Sequence, residues 1–271
     1  MKSWMREEVV LLGGVLVALA VAMWGPVVPQ HAHYHAFADQ RTWLGLPCAA
    51  DVLTNLPFAI AGLWGLGRAA VLQQEGGWTV RLGLAQLFFA GLVLTFLGSS
   101  YYHLQPNDGG LAWDRAGMVG AFAGLLGMAV ADRISTRAAV TMSAVVTVVG
   151  LMSVCHWAST GNLLPWVVVQ GGGMLLVCML AQRPPVAQAW KLPLVAVMCF
   201  YTLAKLFELG DSVVFAATSG WISGHSLKHV FAAAAAWPML WVMHNRPKIN
   251  AARWLTASAS IHEMNKARES R

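Results

Sequence analysis

Charge is scarce in this chain of 271 residues: Asp, Glu, Lys and Arg together make up 11% of it. Soluble domains carry about 25%. With 57% hydrophobic residues and a mean hydropathy of +0.57, that scarcity excludes an ordinary water-soluble globule. Cysteine is sparse too. Cys48, Cys155, Cys178 and Cys199 contain no CxxC pair, which argues against a cysteine-built zinc site. Sequence repeats and any sizeable soluble domain are missing. No GxSxG elbow appears either, so a serine-hydrolase triad lacks its frame.

What the chain does contain is a series of apolar blocks of roughly 16–24 residues, the length a helix needs to cross a bilayer. Eight segments stand out: 8–26, 52–72, 80–103, 114–131, 138–156, 163–181, 192–209 and 225–243. The predicted fold class is all-α, a polytopic membrane helix bundle. The first segment follows Met-Lys-Ser-Trp-Met-Arg and has a long apolar run with no clean small-x-small site. It reads as a retained helix in preference to a signal peptide.

Lys and Arg orient the segments. Of the eighteen basic residues, fourteen fall on one side: Lys2, Arg6, Arg68, Arg81, Arg133, Arg137, Arg183, Lys191, Arg246, Lys248, Arg253, Lys266, Arg268 and Arg271. Arg41 and Arg115 occupy opposite loops, and Lys205 and Lys228 lie in or near helices. Both termini are therefore expected in the cytoplasm. The net charge of +6 is a topology signal, and no nucleic-acid partner is expected. Cys48 and Cys155 would share the outer side, which leaves room for a disulfide between them.

The polar residues inside the apolar segments gather at one depth. Segment three ends outward at Ser99-Ser100-Tyr101-Tyr102-His103, and segment four starts inward from Asp114. His225 and His229 open segment eight, and Asp51 and Asn55 open segment two. Residues four apart share a helix face. His225 and His229 with His103 can thus supply three nitrogens to zinc, leaving a fourth position open for water. A carboxylate nearby could move protons and a hydroxyl could stabilise an oxyanion. The bland alternative is three interfacial histidines bonded to water.

Ser-x-x-x-His, Asp after a short loop, and His-x-x-x-His in the last helix together resemble the CREST superfamily of membrane hydrolases. That superfamily includes the alkaline ceramidases and the adiponectin-type receptors. The step from His103 to Asp114 is similar to that of the alkaline ceramidases. Asp51-Val-Leu-Thr-Asn-Leu-Pro-Phe at a helix start is similar to their bacterial members. The resemblance covers residues 34–245 as a seven-helix core. It leaves 1–33 as an added transmembrane helix and loop, and 246–271 as a basic cytoplasmic tail. It implies zinc at His103, His225 and His229, Asp114 as general acid/base, and Ser99 at the oxyanion. Ser100 lies near the same face, so the choice of Ser99 rests on the family spacing. The implied reaction is hydrolysis of a ceramide-like lipid amide by metal-bound water. The lipid would enter from the bilayer, in the inner membrane if the source is bacterial, with the site toward the periplasm or lumen. The animal enzymes also carry an acidic calcium site. Here only Asp39 is acidic in that stretch and Cys48 stands where an acid is expected. Calcium wants several oxygen ligands and is not expected.

Other residues carry weaker signals. Asp39 with Arg41 reads as an ion pair. Asp51 and Asn55 read as caps of segment two ahead of a role supporting a histidine. His31, His33 and His35 would share a face if extended, but read as a solvated loop. Lys205 and Glu208 neutralise each other, with a head-group role as the alternative for them and Asp211. Lys228 is read as pointing away from His229, toward lipid or an acid. His156 lacks a matched partner. Gly171–Gly173 and the alanines 232–236 read as close-packing sites. Two other functions compete: a receptor or sensor of the same superfamily with a structural zinc, and a cation transporter. A transporter needs polar residues along a continuous path, and the inner halves of the segments are apolar.

Overall fold

The structure, a computed structural model, describes residues 5–246. Lys2 and the basic tail from Lys248 onward lie outside the described residues. Among the described residues regular structure is helical, with only isolated bridges at Pro29–Asn162 and Trp43–Leu46. The helices are α1 (Arg6–Trp24), α2 (Ala49–Leu53), α3 (Leu56–Gly76), α4 (Val80–Leu104), α5 (Asp108–Arg133) and α6 (Thr136–Thr160). They continue with α7 (Leu164–Val167), a π-helical turn (Val168–Gly172), α8 (Gly173–Ala181), α9 (Leu194–Leu209), α10 (Asp211–Ala217), α11 (Gly224–Ala234) and α12 (Trp237–His244).

Six helical runs are long and apolar enough to cross a membrane: Arg6–Trp24, Ala49–Gly76, Val80–Leu104, Asp108–Arg133, Thr136–Thr160 and Leu164–Ala181. The two remaining apolar segments are helical but shorter, and the last of them is interrupted. α9 stops at Gly210, and α11 gives way to α12 just before Pro238. Proline has no backbone N–H to continue the helix ladder. Side chains cap four helix starts: Thr79 on Leu82 N, Asn107 on Gly110 N, Ser135 on Ala138 N and Ser223 on Ser226 N. Each such cap contributes about 1 kcal/mol.

α5 is the central helix. Its buried face runs from Leu111 to Arg133 and packs between α4 and α6. Glycine lets α4 and α5 approach backbone to backbone. A Cβ on Gly91 would lie 2.0 Å from Ala121 N, and one on Gly98 would lie 2.4 Å from Trp113 O. The outward faces stay apolar, with Val17, Leu63, Leu97 and Met152 all exposed. Apolar faces of this extent belong against lipid tails.

The two ends of the bundle differ in chemistry. At one end Arg68 donates to Met243 O, Arg81 to Ala131 O and Arg133 to Leu192 O, while Arg137 pairs with Glu8. At the other end the α1–α2 connection folds over the helix ends. Val28 N donates to Asn162 Oδ1, and Gln30 donates to Asp108.

Three expectations change. Gly171 and Gly172 meet nothing within 4 Å and belong to the π-helical turn, so only Gly173, against Leu126, is a packing glycine. Asn55 has helical φ/ψ of −77°/−21° and makes no side-chain cap. Asp51 caps nothing either: Asn55 Nδ2 donates to Asp51 O, and the Asp51 carboxylate is turned elsewhere. Cys48 is buried, Cys155 is exposed, and both are free thiols.

Candidate metal centre

His103 closes α4, four residues after Ser99, and is fully buried. His225 and His229 sit one turn apart on α11, exposed by 6% and 2%. The tight seat of α11 depends on Gly224, where a Cβ would fall 2.2 Å from Phe207 O. Asp211 fixes the helix start: its Oδ1 accepts from His225 N at 2.8 Å, and its Oδ2 accepts from Ala38 N at 2.9 Å. One carboxylate thus ties the covering loop to the histidine helix, at the end where free N–H groups favour negative charge.

The three imidazoles converge. Their ring centroids lie 5.0, 5.0 and 4.9 Å apart, and one nitrogen from each falls within 4.8 Å of the other two. The group can hold a metal ion. Both nitrogens of His103 and Nε2 of His229 are buried without a hydrogen-bond partner. Such orphans are costly in a closed core, and a cation with neutral imidazole ligands would satisfy them.

The tautomer of His229 follows from its neighbour. The Thr54 hydroxyl donates to Ala50 O at 2.7 Å, so toward His229 Nδ1, 3.2 Å away, it can only accept. Nδ1 therefore carries the proton and the Nε2 lone pair is free. Phe37 from the covering loop lies against His103 and His225, with centroids 4.7 and 4.4 Å away, and shuts the cluster off from the outer surface.

Ser99 and Asp114 meet across the glycine-packed α4–α5 contact. Both are buried, and the close approach of Gly98 to Trp113 and Asp114 sets the Ser99 side chain beside the Asp114 carboxylate. Ser100 Oγ, by contrast, is a buried atom with no partner. Asp114 lines a cavity of about 70 Å3 together with Tyr34, Gln170, Tyr201, Glu208 and Lys228. A larger cavity, about 340 Å3, lies at the opposite end beside Arg81, Gln188, Trp190 and Arg246. Its lining has no histidine, and its one hydroxyl, that of Thr79, caps α4.

All five residues singled out from the sequence (Ser99, His103, Asp114, His225 and His229) lie at the same end of the bundle, the histidines in one cluster and the serine and aspartate as buried neighbours. Lys228 does more than was expected of it. Its ammonium does find an acid, Glu208 Oε1 at 3.0 Å, but it also stands 3.3 Å from His225 Nε2 and faces the Asp114 cavity. Lys205 pairs with the same Glu208. Asp39 and Arg41 form the expected ion pair, 2.6 Å long, and Arg41 also donates to Trp221 O. That guanidinium, hydrogen-bonded to the carboxylate, holds Asp39 below the usual carboxylate range. The loop histidines form no common site: the rings of His31 and His33 meet edge to face at 5.8 Å, and His35 is bonded elsewhere. His31, His33 and His35 lie along a turn, and His35 bonds to Tyr102 Oη at 2.8 Å and to Asp108 at 3.1 Å. His156 is exposed on α6.

The chain matches no family model, no curated protein and no solved structure. Function is therefore argued from the residues.

Proposed function

We propose that the protein is a zinc-dependent hydrolase of ceramide-like lipid amides in the membrane, of the alkaline ceramidase type. The observation that carries this reading is the juxtaposition at one end of the bundle of a buried three-histidine cluster, unpaired at three ring nitrogens, and a buried serine–aspartate pair. Three neutral imidazoles and an open fourth position are the donor set of catalytic zinc. Bound there, zinc supplies Lewis acidity and lowers the pKa of its water to about 7. A structural zinc, the receptor or sensor alternative, would need neither Ser99 nor Asp114.

The chain's own groups divide the remaining work. Asp114 lines the cavity and is absent from the metal-holding trio, which suits it to moving protons. Its carboxylate takes the proton of the attacking water and returns it to the leaving amide nitrogen. Ser99, one turn before His103, turns its hydroxyl from Asp114 to the carbonyl oxygen as negative charge develops there. Phe37 excludes bulk water from above. The acyl chain remains among apolar helices, so the substrate can enter from the bilayer.

The arrangement in the membrane follows from the same reading. Glu8 is the one fully buried residue of α1, which lies at the edge of the bundle, and this supports an added helix beside a seven-helix core. The basic end faces the cytoplasm with both termini, and the histidine end faces the periplasm or lumen.

Metal analysis of the purified protein alongside lipid-amide hydrolysis tests the proposal. His225→Ala is expected to lose metal and activity together. Asp114→Ala is expected to keep the metal and lose turnover by about 100-fold or more. Hydrolysis that survives both substitutions excludes the mechanism.

A further inference from the structure

The geometry points to Asp51 as the positioning residue of His103: its carboxylate accepts the ring N–H at Nδ1 and so presents Nε2 to the metal. This rests on the reading of the three histidines as a metal centre, and it assigns a role to the short helix α2 that precedes the first core helix.

Asp51 is completely buried. Its Oδ1 accepts from Ser226 Oγ at 2.6 Å, and Ser223 Oγ donates in turn to Ser226 Oγ at 3.1 Å. Both serines flank His225 at the start of α11. The carboxylate is therefore held by the helix that bears the other two histidines. Its second oxygen, Oδ2, has no hydrogen-bond partner, and His103 Nδ1, equally unpartnered, lies 3.9 Å from it. That separation is longer than a hydrogen bond. Yet each atom is the other's ion-pair neighbour, both are sealed from solvent, and leaving either unpaired is costly. A small turn of the ring brings them into contact and frees Nε2.

The pairing has a counterpart three residues on. Thr54 accepts from His229 Nδ1 and leaves that Nε2 lone pair free, as derived above. Positions three apart share a helix face, so one face of the Asp51–Thr54 stretch orients one histidine from α4 and one from α11. Carboxylate or hydroxyl partners behind ligand histidines fix the tautomer and strengthen the donor, and their removal typically weakens metal binding by about 10- to 100-fold.

The test uses the full chain in detergent, with two readouts. Nitrogen NMR of histidine-labelled, metal-free protein reports the tautomers, and chelator competition reports zinc affinity. Wild-type His103 and His229 are expected as Nδ1–H tautomers. Asp51→Ala should release His103 alone, Thr54→Val should release His229 alone, and each should weaken zinc by about 10- to 100-fold. Asp51→Asn keeps an acceptor oxygen and should recover part of the loss. Ser226→Ala, milder for the fold, should move His103 in the same direction by less. Should Asp51→Ala not fold, Ser226→Ala decides: an unchanged His103 tautomer and unchanged affinity overturn the assignment. A wild-type protein that binds no zinc, with His103 still answering to Asp51, would retire the hydrolase reading and leave the pairing intact.

Discussion

Gly98 gives the most direct test of how the helix packing serves the site. It precedes Ser99 on α4, and a Cβ at this position would lie 2.4 Å from Trp113 O and 3.1 Å from Asp114 Cα. Ordinary contact begins near 3.5 Å, so Gly98→Ala must push α4 and α5 apart by about 1 Å, and the atoms in the way are backbone. Overpacking of this kind costs about 1–3 kcal/mol, a fall in midpoint on the order of 5 °C for a chain this long. The same displacement separates Ser99 from Asp114, and misplacement by about 1 Å lowers turnover by roughly 100-fold. Gly67→Ala is the control. Nothing lies within 4 Å of its added methyl, so helix propensity alone acts, and alanine is favoured by up to about 1 kcal/mol. The two substitutions should therefore shift thermal unfolding in opposite directions, and only Gly98→Ala should impair lipid-amide hydrolysis. Equal midpoints and equal turnover in both would refute the close-packing argument.

Two further outcomes follow from charges outside the metal cluster. Asp132 is fully buried, pairs with Arg133 and accepts from Lys191 N and Leu192 N at 3.0 and 2.9 Å. Asp132→Asn leaves the guanidinium without its counter-charge and should cost about 3 kcal/mol or more, read as thermal unfolding in detergent; an unchanged midpoint would contradict it. In the covering loop, the Asp39 carboxyl is held below its ordinary range by hydrogen bonds from Arg41. A depressed folded value means that its stabilisation is complete above the ordinary carboxylate pKa of about 3.9. It is lost as pH falls through the lower folded value. Acid-tolerant protease should cut the loop between α1 and α2 only at low pH, and Arg41→Gln should move the onset upward. An onset that stays put would show that this pair does not hold the loop.

The helices and the convergence of the histidines were legible because each left a local signal. Apolar runs gave the helices, and i, i+4 spacing with the alternating loop charges brought His103, His225 and His229 to one depth. Contacts between distant residues left none: Asp51 meets Ser226 and Thr54 meets His229 across 175 positions. Lys228 meets an acid, as its sequence setting implied, but its approach to His225 rests on an i, i+3 relation that was not read. Asn55 was misread because its residue type favours caps, whereas here the helical backbone passes through it. The glycines of the α4–α5 contact looked like any others until the opposing backbone was in view.

The central helix bears on which function the bundle can support. Asp114 and Arg115 stand near one end of α5, Asp132 and Arg133 near the other, and none of the sixteen residues between them is ionisable. Eighteen residues of helix span about 27 Å, close to the thickness of a bilayer's hydrocarbon core, about 30 Å. The buried hydroxyls Thr95 and Ser153 donate to carbonyls of their own helices, at Gly91 and Gly150, and line no polar path. A transported cation would have to cross that interval without ligands, at a cost the packing does not offset. The histidine cluster instead lies at one boundary of the apolar layer, the position the proposed function requires if the chains of a lipid amide are to stay in the bilayer. Buried charge thus stands at both boundaries of the bundle with an apolar interval between them, a distribution that suits the proposed interfacial chemistry and opposes passage of a cation.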